Sequence, residues 1–276
     1  LSSLRKSGFF SNLLVIADCG MRIAEWTETA GGDGRMRAEP RTPPYCVVWR
    51  LGVREYGETL GLQRRLARAR MAGEVPDLFL LAQHPPVITF GRGARPEHLL
   101  AAPEDLRRRG VGVYEVERGG GVTYHGPGQL VGYPILDLHG YGLDVHLHLR
   151  RIERAVIGAL AAAGLAAGVW PGRTGVWVGD RKIASVGIHV SRWVTWHGFA
   201  LNACTDLRDF DLIVPCGLHG VRMTSLAAEL ERDVNVAEVE ALLVAAFAET
   251  FGAAVRPWGP AEAARFDPAA ASCIPS

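Results

Sequence analysis

Lysine is almost missing from this chain: of its 30 basic residues only Lys6 and Lys182 are lysines, and the rest are arginine. Arginine keeps its proton in a protein, so any step that needs a basic side-chain amine falls to one of those two. Cysteine is nearly as sparse. Cys19, Cys46, Cys204, Cys216 and Cys273 are odd in number, form no CxxC pair and join no Cys/His cluster at zinc spacing. That pattern excludes a disulfide scaffold and a structural zinc site, and it fits a reducing, cytoplasmic setting. An excess of either charge is missing too: 30 Lys+Arg against 29 Asp+Glu leaves +1, which excludes a broad basic surface and with it nucleic acid as a partner. The low-charge run AVIGALAAAGLAAGVW from Ala155 falls short of the ~20 apolar residues of a membrane span, is rich in Ala and Gly, and reads as a buried helix with its exit.

At the amino terminus, Arg5 and Lys6 precede FFSNLLVIA in the manner of a secretory signal, but Asn12 interrupts the apolar run and Asp18 stands where cleavage needs a small residue. The chain opens with Leu1, and the expectation is an upstream extension, with Met21 or Met36 as alternative starts. From Thr27 to Pro44 the composition is that of a flexible leader. The expected organisation is therefore an extension over 1–44, a catalytic domain over 45–260 and a tail over 261–276.

Within the domain, YCVVWRL reads as a strand, and Arg54 to Gly73 as a helix with Tyr56, Leu60, Ala67 and Met71 along one face. LFLLA and VITFG are two strands or one interrupted strand, split by HPP. After a short helix ending near Gly110, VYEVE and QLVGYPILDL are strands, and Asp144 caps a helix with a Val145, Leu149, Ile152, Val156, Leu160 stripe. GVWVGDRKIASVGIHV is a hairpin turning at Gly179-Asp180, and WVTWHGFALNA a further strand. Asn235 caps a last long helix with Gly252 just past its end. Strict βαβ alternation is absent, so the fold expected is α+β: a single domain with a mixed, largely antiparallel sheet and flanking helices.

Glycine, by contrast, is abundant, and it concentrates in RGGGVTYHGPGQ, Arg118 to Gln129. Such a cluster makes sense where the backbone needs positive φ or where something approaches it closely, which points to a ligand surface or a tight turn. No Gly-Lys-Ser/Thr follows, so it is not a P-loop, and Tyr124 stands where a dinucleotide fingerprint needs glycine. Ser185 is no nucleophile elbow, because Ile183 precedes it by two residues. In FDLIVPCGL, Pro215 and Gly217 leave Cys216 open on one side, which suits a reactive thiol, whereas Cys204 in LNACTD takes a packing role. A thiol nucleophile needs a basic partner, and Lys182 is the candidate, although a lysine just after a hairpin turn can equally be a solvated charge. His139, His146 and His148 hold no metal, since His146 and His148 share no helical face, and Trp170, Trp177, Trp193 and Trp196 read as core and sheet-face packing.

Taken together, RGGGVTYHGPGQLVGYPILDL, KIASVGIHVSRWVTWHGFALN, and VPCG followed by TSL resemble the signature blocks of the lipoyl(octanoyl) transferases of lipoate biosynthesis. The similarity runs from about Tyr45 to about Gly252. The resemblance implies the fold of the lipoate- and biotin-protein ligase catalytic domains. It makes Cys216 the acyl-thioester nucleophile and Lys182 its activating partner. It places Arg118, Gly119, Gly120, Gly121, Val122, Thr123, Tyr124 and His125, then Ser185, Val186 and Gly187, then Gly198, Phe199 and Ala200, around the acyl substrate. His189 stands at a position without an implied role. The implied partners are octanoyl-acyl carrier protein as donor, and the lipoyl domains of 2-oxoacid dehydrogenase complexes and the glycine cleavage H protein as acceptors. Thioester-to-thioester-to-amide transfer runs downhill without ATP or another cofactor, and burying about six methylenes at ~0.8 kcal/mol each contributes roughly 5 kcal/mol toward a medium chain. The rival reading is an ATP-dependent lipoate or biotin ligase, which needs no cysteine; VPCG argues against it.

Overall fold

The computed structural model describes residues 45–215 and 220–267. The expected leader with its alternative starts, the expected nucleophile Cys216, and residues 268–276 lie outside the described residues.

Strand β1 (Tyr45–Val53) leads into helix α1 (Tyr56–Met71), which crosses back so that β2 (Asp77–Gln83) runs parallel to β1. His84-Pro85-Pro86 then takes the chain out of this sheet, because proline cannot donate to a ladder. β3 (Val87–Phe90) opens a second sheet, joined by β4 (Gly112–Glu115) and β5 (Val122–His125), with α2 (Pro103–Arg108) between β3 and β4. The two runs around HPP are thus separate strands, and they belong to different sheets. The chain returns to the first sheet as β6 (Gln129–Ile135), antiparallel to β2. Helix α3 (Val145–Ala162) starts where the Asp144 carboxylate accepts the Leu147 N–H, the expected cap.

An antiparallel run follows: β7 (Gly168–Trp170), β8 (Arg173–Val178), β9 (Arg181–Ser191) and β10 (Val194–Asn202), with the β8–β9 hairpin turning at Gly179-Asp180. Then come β11 (Arg222–Met223), α4 (Leu226–Leu230), α5 (Val236–Phe251), β12 (Ala254–Pro257) and α6 (Pro260–Ala264). Asn235 caps α5 and Gly252 ends it at φ +60°. The main sheet has the order β12-β1-β2-β6-β10-β9-β8-β7, with β11 parallel beside β9. Only the β12-β1, β1-β2 and β9-β11 pairings are parallel, so the sheet is mixed and largely antiparallel.

Alternate residues of the main sheet face opposite layers. On one side Cys46, Val48, Phe79, Leu81 and Phe199 pack under Ile152, Val156 and Leu160 of α3 and Leu243 and Phe247 of α5. On the other, Val47, Leu78, Leu80, Val131 and Ile135 meet Leu62 and Leu66 of α1 and Ala263 of α6. The apolar face expected for α1 is therefore only half of what it buries: Tyr56 and Leu60 turn toward Val87 of the small sheet, while Leu62 and Leu66 face the large one. The small sheet has its own core of Ile88, Leu106, Val122, Tyr124, Phe210 and Ile213.

Three packing expectations need adjustment. Cys204 is exposed rather than packed in a strand, because Ala203 and Cys204 both donate their N–H groups to Gly128 O (3.2 and 2.9 Å) and the ladder ends at Asn202. Trp193 is 39% exposed in the β9–β10 turn, and Trp170 is half-buried on the short strand β7, whereas Trp177 and Trp196 are buried as expected. The boundary expected at residue 260 falls at the first residue of α6, and the chain beyond it still packs: Ala263 is core, Trp258 meets Phe266, and Asp267 pairs with Arg54.

Candidate active site

The glycine-rich stretch is a strap between the two sheets. On the small-sheet side the N–H groups of Gly91, Arg92 and Gly93 donate to the carbonyls of Gly121, Arg118 and Gly120 (3.1, 3.0 and 3.0 Å). On the large-sheet side Gly119 N–H donates to Ile188 O at 2.9 Å. Glycine is needed because backbones touch: a Cβ on Gly91 would lie 2.5 Å from Gly120 O, and one on Gly187 2.8 Å from Gly119 O. Part of the glycine is thus spent on joining the sheets, and the Gly119 N–H already has its acceptor within the fold.

The strap is held by its own first residues. The Arg118 guanidinium is buried and donates to Thr89 O (2.9 Å), Thr89 Oγ1 (2.8 Å) and Gly119 O (3.0 Å). Beside it, Glu117 accepts from Arg64 (2.9 and 2.6 Å) and from Trp196 Nε1 (2.8 Å), and its carbonyl accepts from His189 Nδ1 at 3.1 Å. Burial pushes the Glu117 carboxyl up, but the nearby His197 imidazole at 3.7 Å and the Arg64 and Trp196 donors outweigh it and hold the group well below the usual carboxylate range. His189 thus fastens the strap to β9, with its ring 4.1 Å from that of Trp196.

Strand β5 divides the remaining residues of the stretch by its two faces. Val122 and Tyr124 point into the small-sheet core, where Tyr124 Oη donates to Asp209 at 2.6 Å. Thr123 is buried. His125 is buried too and stacks on Tyr56 of α1 with centroids 5.7 Å apart. Burial, reinforced by His84, lowers the His125 imidazole to about 3. Burial alone takes His84 to about 4, so both rings are neutral near pH 7.

Neutral rings fix a direction of hydrogen bonding. Arg118 donates to Thr89 Oγ1; that hydroxyl lies 3.4 Å from His125 Nε2 and has its own proton to give. His125 Nδ1–H donates to Gln129 Oε1 (2.7 Å), Gln129 Nε2 to Asn202 Oδ1 (2.9 Å), Asn202 Nδ2 to Thr224 O (2.9 Å), and Thr224 N–H to Lys182 O (2.9 Å). Every donor points the same way, so the strap and the strand carrying Lys182 are joined by one chain of hydrogen bonds.

The two other blocks meet directly. Gly198 pairs with Gly187, Phe199 with Val186 and Ala200 with Ser185 across β10 and β9. On the far side Phe199 faces Gly132 of β6, and a Cβ on Gly132 would overlap the Phe199 ring. Lys182, also on β9, is the only lysine among the described residues, and it is 3% exposed. It is therefore not a solvated charge. Its stem lies against Gly175, its Nζ is 5.3 Å from the Trp177 ring centroid, and buried Glu153 of α3 accepts the Gly175 N–H at 2.8 Å. Met223 of β11 is the residue opposite Lys182. Gln129 closes the glycine-rich stretch that sequence marks as a site, whereas nothing local in sequence points to Gly175, Glu153 or Asn202; the TSL block, which contains Thr224, is the signal on this side of the arrangement. Among the described residues no group of three or more His, Cys, Asp or Glu side chains is arranged to hold a metal. No helix among them is long and apolar enough to cross a membrane.

A model of the lipoyl protein ligase A/B catalytic domain matches residues 55–248 of this chain. The chain belongs to that family. An octanoyltransferase from Solibacter usitatus is 52% identical over 183 residues, covering 66% of this chain and 83% of the relative. An octanoyltransferase from Gloeobacter violaceus is 46% identical over 220 residues, covering 79% and 91%. Among solved structures, the lipoate protein ligase of an archaeal lipoylation system from Thermoplasma acidophilum superposes with a TM-score of 0.65 at 17% identity, over 83% of this chain and 93% of that one. That likeness establishes the α+β fold expected above and nothing finer.

Proposed function

We propose that this chain is an octanoyltransferase of lipoate biosynthesis that works through Cys216 and Lys182 within a catalytic domain beginning near Tyr45 and reaching at least residue 260, the first 44 residues being an extension to it. Relatives at 46 and 52% identity are octanoyltransferases, whereas the similar lipoate protein ligase structure is 17% identical and speaks for the fold alone. The observation that carries the residue assignment is the burial of the only lysine among the described residues: at 3% exposure its amine is held inside the fold on β9 and not spent on solvation. Met223, opposite Lys182, follows Cys216 by a short stretch of chain, which supports pairing the two.

In the first half-reaction the Cys216 sulfur attacks the octanoyl thioester carbonyl. A new C–S bond forms, the donor's C–S bond breaks, and the donor leaves as a thiol carrying the proton that Cys216 gave up through Lys182. In the second, the ε-amine of a target lysine attacks the acyl-enzyme carbonyl, the C–N bond forms, the Cys216 C–S bond breaks, and the surplus amine proton passes by way of Lys182 to the departing Cys216 thiolate. The product amide is more stable than either thioester, so the sequence needs no ATP. The acceptor is a lipoyl-domain protein. We assign octanoyl-acyl carrier protein as donor, and the lipoyl domains of 2-oxoacid dehydrogenase complexes and the glycine cleavage H protein as acceptors. The strap at 118–125 and the paired blocks 185–187 and 198–200 form the walls of the acyl site. Within them Arg118, Val122 and Tyr124 act by holding the strap and its sheet, since their side chains are already engaged there.

The test is intact mass. Incubation with octanoyl-acyl carrier protein should add one octanoyl group to the chain, mapped to Cys216 and discharged by an apo lipoyl domain. No adduct, with ATP consumed in the presence of octanoate, would establish the ligase reading instead.

A further inference from the structure

His197 has left-handed backbone, φ +57°, inside β10, although the pairing with β9 continues unbroken from Val194 to Leu201. A side chain with a Cβ takes that conformation only at a steric cost, so something must hold it there. The holding group is Gln63. Its Oε1 accepts the His197 N–H at 2.9 Å, reaching across from α1, where Gln63 is completely buried.

The side chains are otherwise poorly provided for. Gln63 Nε2 and His197 Nε2 are both buried with no hydrogen-bond partner among the described residues, and Glu117 Oε1 lies 3.7 Å from the imidazole. An amide placed here for its own satisfaction would use both ends; Gln63 uses the end that pins the strand. The residue after the twist is Gly198, which presses so close to β6 that a Cβ would overlap Gly132 O. Gly198, Phe199 and Ala200 then pair with Gly187, Val186 and Ser185.

We propose that Gln63 and His197 are a positioning pair: the Gln63 amide holds the His197 backbone in its left-handed turn, and that turn sets where Gly198–Ala200 meet the acyl chain. This inference rests on the acyl site proposed above. His197 acts through its backbone, not through its imidazole. Chain-length selectivity is therefore controlled in part from a helix residue that never touches the substrate.

The experiment measures acyl-enzyme formation in single turnovers with hexanoyl-, octanoyl- and decanoyl-acyl carrier protein, beside melting temperatures, for the wild type, Gln63→Met, His197→Val, His197→Asn, His197→Gly and the Gln63→Met/His197→Val double variant. Valine resists positive φ, whereas asparagine and glycine accept it. Gln63→Met and His197→Val should each lose about tenfold of the octanoyl preference, and the double variant should lose no more than either single one, because both release the same turn. His197→Asn and His197→Gly should stay near wild type. Asparagine and glycine variants as impaired as valine would overturn the proposal in favour of imidazole chemistry, as would a Gln63→Met chain that melts lower yet keeps its preference. If Gln63→Met fails to fold, the three His197 variants decide the matter alone. A wild type that accepts no acyl group from any donor overturns the functional reading itself, and the pair's role with it.

Discussion

Gly175 stands directly against Lys182: a Cβ added to the glycine would lie 2.5 Å from Lys182 Cε and 3.1 Å from its Nζ. The same Cβ would sit 2.6 Å from Ala184 O, and the glycine's φ is +121°. The lysine stem thus occupies the space that a missing side chain leaves on the neighbouring strand, and buried Glu153 fixes that strand by accepting the Gly175 N–H.

Gly175→Ala should therefore be both destabilising and inactive. Overpacking against backbone together with an incompatible φ costs about 1–3 kcal/mol. Urea denaturation should show the loss, and intact mass should show little octanoyl adduct even where the variant is folded. A folded Gly175→Ala that acylates normally would mean that the position of the Lys182 stem does not matter to transfer.

Acid should unfold this protein by way of its buried histidines. His148 is buried against Phe251 with neither ring nitrogen bonded among the described residues, and burial takes it down to about 3 from an ordinary 6.5. His84 and His125 are lowered to about 4 and about 3. A lowered folded value means that the unfolded chain takes up the proton first, so stability is full above pH 6.5 and is lost as pH falls from there toward the folded values. At pH 5 each site costs on the order of 2 kcal/mol by linkage. His148→Phe should recover about one such share at pH 5 and little at pH 7.5, in paired urea titrations at the two pH values.

The sheet was largely legible because its signals are local. Alternation marks β9 and β10, Gly179-Asp180 marks their neighbour's turn, and the Asp144 and Asn235 caps fall where side chain and backbone meet within a few residues. What stayed hidden depends on pairing at long range. HPP separates two strands visibly, but that the second belongs to another sheet follows only from its pairing with β4 and β5. Val122 and Tyr124 look like a ligand wall in sequence and pack as a small core, since one short apolar stretch cannot tell the two apart. The burial of Lys182 rests on a glycine across the hairpin. A charged residue just after a turn gives no hint of that.

Among the thiols, exposure and acylation should part company. Cys204 is exposed, whereas Cys46 is buried and burial pushes its thiol far up. Cys204→Ala should remove a site of slow surface alkylation while leaving octanoyl uptake unchanged, and Cys216→Ala should abolish uptake. Peptide mapping after incubation with the donor checks both, and an octanoyl group found on Cys204 would reverse the assignment.

The directed hydrogen-bond chain makes a prediction that depends on polarity, not size. Asn202 accepts from Gln129 through Oδ1 and donates to Thr224 O through Nδ2, both at 2.9 Å, and the side chain is 1% exposed. Asn202→Asp keeps the shape and the acceptor but turns an oxygen toward the Thr224 carbonyl. The carboxylate then either buries a charge facing a carbonyl or takes up a proton to restore the donor. Asn202→Ala only removes both bonds. Leaving a buried group unsatisfied costs about 1–3 kcal/mol, and more for a charged one. Asn202→Asp should therefore be less stable than Asn202→Ala at pH 8, and the gap should narrow as pH falls and the carboxyl is protonated. Thr224 N–H is the donor to Lys182 O, so octanoyl uptake by Asn202→Asp should fall more steeply with rising pH than that of the wild type. The decisive measurement is the pair of stability-against-pH curves. Parallel curves would mean that the Asn202 amide is not oriented as the chain from His125 requires, and that the strap is tied to the Lys182 strand by the Gly119–Ile188 and His189–Glu117 hydrogen bonds without it.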